Sequence, residues 1–402
     1  MAKLIDITGK ALSGEWGKED EDGTGVPVLR TTNFTNDGIV NFSNVITRDI
    51  SKNCKSEKFL RKGDIIIEKS GGSDKQPVGR VIYFEGEENK YLFNNFTGLL
   101  RVHNQKKWIP KFVFYSLFAN YKQGGTRAYE NKTTGLHNLK LDSYIQNTEI
   151  RDYAVDQQHC ICTALDQLRR IIILRKSEIN KLDELIKALF VEMFGEPIAN
   201  PKRWPVKCLK ELSSLITNGT TPKGGSENYV KHGIMFLRSQ NVWRNRIELD
   251  DVAFIDEATH NAMSKSSLHH KDILITKTGR INTENSSLGR AALFLGENDS
   301  ANINGHVYLV RLKDFMVPEF VTTILTGEAY RKYIRKVCVG GIDKRQINVE
   351  QVEEFPIILP PVVLQNQFAT FVTQVDKSKV AVQKSLEQTQ MLFDSLMQQY
   401  FG

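Results

Sequence analysis

The chain has 402 residues, with 54 Lys and Arg against 47 Asp and Glu, a net charge of +7. A composition of 40% hydrophobic and 25% charged residues is that of a globular chain and predicts two or three domains, with a mild basic excess that permits a polyanionic partner. Five cysteines (Cys54, Cys160, Cys162, Cys208, Cys338) in no C-x-x-C pair, no apolar leader and no membrane-length apolar run argue against a disulfide framework, a zinc site, secretion or membrane insertion, and fit the cytoplasm.

From the N-terminus onward, the chain repeats itself 208 positions later. Leu4 aligns with Leu212, which leaves Trp204-Pro205 without a counterpart. Gly25 meets Gly233, and Leu29, Arg30 and Asn33 meet Leu237, Arg238 and Asn241. The strand-like segment from Asp64 to Gly71 meets that from Asp272 to Gly279. Two residues are then gained, so that Gly79-Arg80 meets Gly289-Arg290 and Arg101 meets Arg311. The offset of 208 returns at Pro110 with Pro318 and at Gln157 with Gln365.

Each repeat closes on a long helical pattern. In the first, Leu165, Leu168, Ile172, Ile179, Leu182, Ile186, Leu189 and Met193 follow a three-four spacing, with Arg175 at the skipped position. In the second, Val372, Val375, Lys379, Val382, Leu386, Thr389, Phe393, Leu396 and Tyr400 do the same, 207 positions on. Matching heptad seams predict that the helices pair as an antiparallel coiled coil, with Arg175 near Thr389 and Lys379 near Ile186. The layout is therefore α+β: residues 1–152 a first domain, 153–196 a helix, 197–358 a second domain, 359–402 a second helix. A circle of two repeats, cut open between them, predicts neighbouring termini. The two helices are nearly neutral, so about +6 of the charge lies in the domains and linkers.

Catalytic signatures are missing. There is no D/N-P-P-Y/F site for methylating an amine, since Leu359-Pro360-Pro361-Val362 has neither the polar acceptor nor the aromatic, and no phosphate-cradling G-x-x-x-x-G-K-[ST] loop. Asp64 with Glu68-Lys69 has the wrong spacing for a metal nuclease, and the second repeat carries Thr276 in place of Glu68. His269-His270 point to opposite faces of an extended chain and suit a surface loop better than a metal.

Loops dense in glycine and hydrogen-bond donors recur at matching places. Lys and Arg neutralise phosphates, and Asn, Gln and Arg pair with base edges. The candidate DNA-binding residues are Arg30, Asn33, Lys69, Ser70, Lys75, Arg127, Asn131, Lys132, Thr134 and His137 in the first repeat. In the second they are Arg238, Asn241, Lys277, Thr278, Arg280, Asn282, Lys344, Arg345 and Gln346. No catalytic or metal-ligating residue is nominated.

The sequence resembles the specificity subunit of type I restriction-modification systems. The resemblance covers both halves. It is carried by the stretch from Ser13 to Asp20 with Leu29 to Phe34, by Asn218-Gly219-Thr220-Thr221-Pro222, by Gly63-Asp64-Ile65-Ile66 and Lys271-Asp272-Ile273-Leu274, and by Ile357-Ile358-Leu359-Pro360-Pro361 running into Gln365-Asn366-Gln367. Ala154-Val155-Asp156-Gln157 departs from it by lacking the double proline. The resemblance implies two target recognition domains in a pseudo-twofold circular arrangement, separated by helices that space two unlike half-sites on double-stranded DNA. About 38 helical residues span roughly 57 Å. It also implies a non-catalytic subunit that recruits two modification subunits, which bring S-adenosylmethionine and methylate adenine, and restriction subunits that use ATP and Mg. Alternatives are a modification-only system of the same architecture, an autonomous DNA enzyme, and a coiled-coil adaptor that binds protein alone.

Overall fold

The computed structural model describes residues 1–50, 54, 56–133, 136–222, 224–283 and 285–402. They form two compact units. The first is Met1–Lys176 with Lys384–Gly402, and the second is Ser177–Gln383. Each unit therefore holds one α+β domain and a segment of both long helices.

In the first unit a four-stranded antiparallel sheet runs in the order Leu12–Ser13, Thr97–Leu100, Ile65–Glu68, Val81–Tyr83. The central strand reads Ile-Ile-Ile-Glu because both its faces are covered. Ile65 and Ile67 pack with Phe112 and Leu117 of the helix Pro110–Lys122, while Ile66 packs on the opposite face with Ile82, Phe93 and Leu99. Asp64, just before that strand, is almost fully buried and accepts two hydrogen bonds from Arg101, 2.7 Å from Nε and 2.6 Å from Nη2. A second sheet orders Lys18–Glu19, Ile46–Asp49, Val26–Leu29 and Leu92–Phe93, the last pair parallel.

The second unit repeats this plan. Its main sheet runs Ser213–Asn218, Val307–Leu312, Ile273–Thr276, Ala291–Leu293, backed by the helix Pro318–Thr326. Asp272 and Arg311 form the same buried pair, at 2.9 and 2.7 Å. The aligned acids are thus strand-start ion pairs, which is why they recur.

Two alignments shift. Leu4 occupies the place of Leu209, not Leu212: its N–H donates to Thr148 as that of Leu209 donates to Phe355, both at 2.9 Å. The same offset of 205 brings Gly14 into line with Gly219. A Cβ on either would sit 2.1 Å from a backbone carbonyl oxygen, that of Asn94 or of Ile303, so only glycine fits. Likewise Gln158, not Gln157, matches Gln365. Gln157 is exposed, whereas Gln158 is buried, accepts from the Ile109 N–H at 2.9 Å and donates to the carbonyls of Lys107 and Tyr153. The slip by one follows from the helix starts, Val155 and Val362, which are 207 apart.

The long helices, Val155–Phe194 and Val362–Phe401, have 40 residues each. Within the first unit they run antiparallel: Arg175 donates to the Ser385 carbonyl and the Thr389 hydroxyl, while Arg151, just before the first helix, donates to the carbonyls of Gln399 and Gly402. Leu165, Ile172, Phe393 and Met397 are buried between them and the domain. In the second unit the Lys379 ammonium lies 2.6 Å from Asp183, one turn before Ile186, and Phe190 and Phe194 interlock with Phe368. The expected partner of Arg175 is found, and Lys379 answers a carboxylate. Between seam positions Ile173, Leu174, Leu185 and Val191 are exposed. The termini are neighbours: Ala2 pairs with Ile150, and the next residue, Arg151, bonds Gly402. No helix among the described residues is long and apolar enough to cross a membrane.

Candidate nucleic-acid interface

The donor-rich loops are not loops throughout. In each unit they assemble into a small three-stranded antiparallel sheet beside the main one. The first joins Ser70–Gly71, Leu136–Leu139 and Glu130–Thr133, with Leu136–Leu139 central. The second joins Thr278–Arg280, Lys344–Gln346 and Val339–Gly340, with Lys344–Gln346 central. Their registers coincide: Gly71 faces His137 and Ser70 faces Asn138, as Gly279 faces Arg345 and Thr278 faces Gln346. One backbone frame therefore carries His137 and Asn138 in one unit, and Arg345 and Gln346 in the other.

The lysines that enter the sheets are held alike. The Lys69 N–H donates to Phe96 and its carbonyl accepts from Leu139, both at 2.8 Å. That of Lys277 donates to His306, and its carbonyl accepts from Ile347. Burial pulls the Lys69 ammonium below its ordinary pKa, and Asp142 partly opposes this. The Lys277 ammonium lies 5.7 Å from the ring centre of Tyr308.

On the first sheet, Asn131 is exposed and Lys132 follows it on the same strand, in register with His137. Arg127, in the turn before, and Lys75, in the loop after Gly71, are exposed. Ser70 donates to the Asn138 carboxamide. Thr134 lies outside the described residues. On the second sheet, Lys344 and Gln346 are exposed, and the Arg280 guanidinium faces Asp343 at 3.3 Å. Arg345 donates from Nε to the Gly341 carbonyl at 3.2 Å. Asn282 is exposed on the loop that follows Arg280, and the Thr278 carbonyl accepts from Ser287 at 2.7 Å.

Three nominated residues have other work. Asn33 and Asn241 are 2% exposed, and their amides are spent on the backbone. Asn33 accepts from the Arg30 N–H at 2.9 Å and donates to Asn41 at 3.0 Å; Asn241 accepts from Arg238 at 2.9 Å and donates to Glu248 and Asp251. Each locks a turn and leaves nothing for a base edge. His137 is buried too, with Nδ1 3.2 Å from Glu130 and Nε2 3.7 Å from Asp74, so it braces the sheet from within. Arg30 donates to the Asn44 carbonyl, and Arg238 pairs with Asp251 at 3.2 Å, beside these turns.

One basic cluster went unnominated. In the first unit the Arg80 guanidinium is bound by Glu68 at 3.0 Å. In the second, Thr276 replaces the glutamate. Arg290 there is 8% exposed, donates to the carbonyls of Ser286 and Asn285, and sits over the Trp243 ring with its guanidinium carbon 3.9 Å from the ring centre, with Arg244, Arg246 and Arg331 close by. The exchange of Glu68 for Thr276 opposite an aligned arginine was the available signal.

Two α+β repeats that each carry a small sheet with exposed polar or cationic side chains on it or beside it, and that share a frame while differing in side chains, define a two-site binding protein built by duplication. The description "Type I restriction modification DNA specificity domain" matches residues 2–184 and again residues 201–389. The chain belongs to that family and carries its domain twice. A putative type I restriction enzyme MjaX specificity subunit from Methanocaldococcus jannaschii is 23% identical over 202 residues, 50% of this chain and 46% of that protein. The match thus spans about half of that curated relative. The S subunit of a type I restriction-modification system from M. genitalium has the same fold, with a TM-score of 0.57 at 14% identity over 100% of this chain and 95% of that one. A chain from a structure of complex assembly and conformational transition in the type I R-M system gives 0.54 at 15%, over 100% and 96%.

Proposed function

We propose that this chain is the DNA sequence-recognition subunit of a type I restriction-modification complex. It binds a bipartite, asymmetric duplex target and scaffolds adenine-methyltransferase subunits, with restriction subunits joining where the system has them. The observation that carries this is the pair of small sheets. Equal registers on unequal side chains suit two half-sites of different sequence, each read by one domain. Joining two modest contacts through the paired helices turns them into one strong bivalent contact.

The chain itself is non-catalytic in this reading and works in the cytoplasm. S-adenosylmethionine belongs to the modification subunits, and ATP with Mg to the restriction subunits. The apolar side chains exposed on the long helices, such as Ile173 and Leu185, suit a partner helix. Co-expression with the cognate modification subunits tests the proposal. A stable complex that methylates adenine in one split motif is expected. Methylation or cleavage of DNA by the purified chain alone would overturn the non-catalytic assignment, and absence of a complex would overturn the scaffold.

A further inference from the structure

Resting on the reading of the chain as a DNA-recognition subunit, we propose that Ile342 is a wedge that enters the base stack of the half-site bound by the second unit. Its side chain is 89% exposed, the highest value for a large apolar residue among the described residues. It stands at the tip of the hairpin formed by Val339–Gly340 and Lys344–Gln346, in the small sheet.

That tip is braced from three sides. The Gly341 N–H donates to the Lys344 carbonyl at 3.2 Å, and Arg345 Nε donates to the Gly341 carbonyl at 3.2 Å. The Asp343 carbonyl accepts from the Ile281 N–H at 3.0 Å, and its carboxylate faces Arg280. Gly340 turns the chain at φ +128°, where a Cβ would sit 3.0 Å from the Lys344 carbonyl oxygen. A β-branched side chain on such a frame has little freedom left to lose on binding.

The surroundings select the partner. An apolar protein surface would want an apolar ring around this isoleucine. Its neighbours at the tip are instead glycine, Asp343, Lys344 and Arg345, with Arg280 alongside; the one other exposed apolar side chain of the hairpin, Val339, lies back from the tip opposite Gln346. Cations that grip phosphates on either side of a stiff aliphatic tip suit a duplex, where apolar wedges part base steps and kink the helix. The first repeat has Thr134 at the corresponding position of its sequence, so the wedge belongs to one half-site only.

The test uses the full chain in complex with its modification subunits. The duplex carries the motif found by methylome sequencing, with 2-aminopurine placed in turn at each step of the second half-site. Bound wild-type complex should brighten the probe several-fold at one step. Ile342→Thr should dim it to the level of free duplex and weaken target affinity about tenfold, the loss of one buried apolar contact. The dependence of binding on salt should not change, because the phosphate-facing Lys344 and Arg280 remain. Ile342→Leu should restore the signal. The proposal falls if no step brightens with wild-type complex bound, or if Ile342→Thr brightens it equally. It also falls if that variant weakens only retention of a modification subunit, which would make the tip a protein contact. Wild-type complex that binds no duplex specifically would instead remove the recognition reading itself.

Discussion

Lys344→Ala removes one exposed ammonium from the second small sheet. Among the described residues Lys344 has no ion-pair partner, whereas neighbouring Arg280 already faces Asp343 at 3.3 Å. A phosphate contact through Lys344 releases one condensed counterion, which contributes about 0.9 to the slope of log affinity against log salt. Over a rise from about 50 to about 200 mM salt, that single contact accounts for roughly a threefold loss, so wild-type and variant curves converge by that factor. Arg280→Ala should change the slope less, since Asp343 offsets its charge, and Asp343→Asn should steepen it. Fluorescence anisotropy of the full complex on its target duplex, across a salt series, measures all three. The methylated motif should be unchanged in each. An unaltered slope for Lys344→Ala, or a relaxed motif, would refute phosphate contact at this position.

Arg345→Ala and Asn131→Ala should each relax one base position, in opposite halves of the motif, when the methylome of the variant host is sequenced. Asn33→Ala and Asn241→Ala should leave the motif alone and destabilise their own unit by about 2 kcal/mol, since each strands buried backbone groups; chemical denaturation against motif sequencing separates the two effects. Arg175→Leu with Lys379→Leu trades charged hydrogen bonds for apolar burial, so stability should move by no more than about 1 kcal/mol while the spacing within the methylated motif becomes mixed. Burial pushes the Cys162 thiol up to about 12. At mildly alkaline pH iodoacetamide should therefore label exposed Cys160 well before Cys162, as read by mass spectrometry. The folded state holds that proton longer than the unfolded chain, so the stability it contributes is full below pH 9 and is lost as pH climbs toward 12.

The repeat was legible because burial repeats with it. Asp64 and Asp272 recur as ion-paired strand starts, and Ile65 to Ile67 and Ile273 to Ile275 as strands covered on both faces. The seams were legible because three-four spacing survives wherever two helices share a face. The small sheets were not, because Lys344-Arg345-Gln346 has no alternation of apolar and polar residues and one of its two pairing partners, Thr278–Arg280, lies far off in the chain. Nor did the sequence separate Asn33 from Asn131. Both are polar amides in Gly-rich surroundings, and only the fold shows that one is spent on a turn and the other faces water. Gln157 and Gln158 are likewise indistinguishable in sequence, since two adjacent glutamines carry no mark of which one faces the domain.

Methylome sequencing of a host that carries the complete system, with and without this chain, tests the central claim most directly. Adenine methylation at one asymmetric split motif should vanish without the chain. Substitutions in the second small sheet should alter only one half of that motif. Methylation that persists without the chain, or a motif whose two halves both change when one sheet is altered, would contradict that claim.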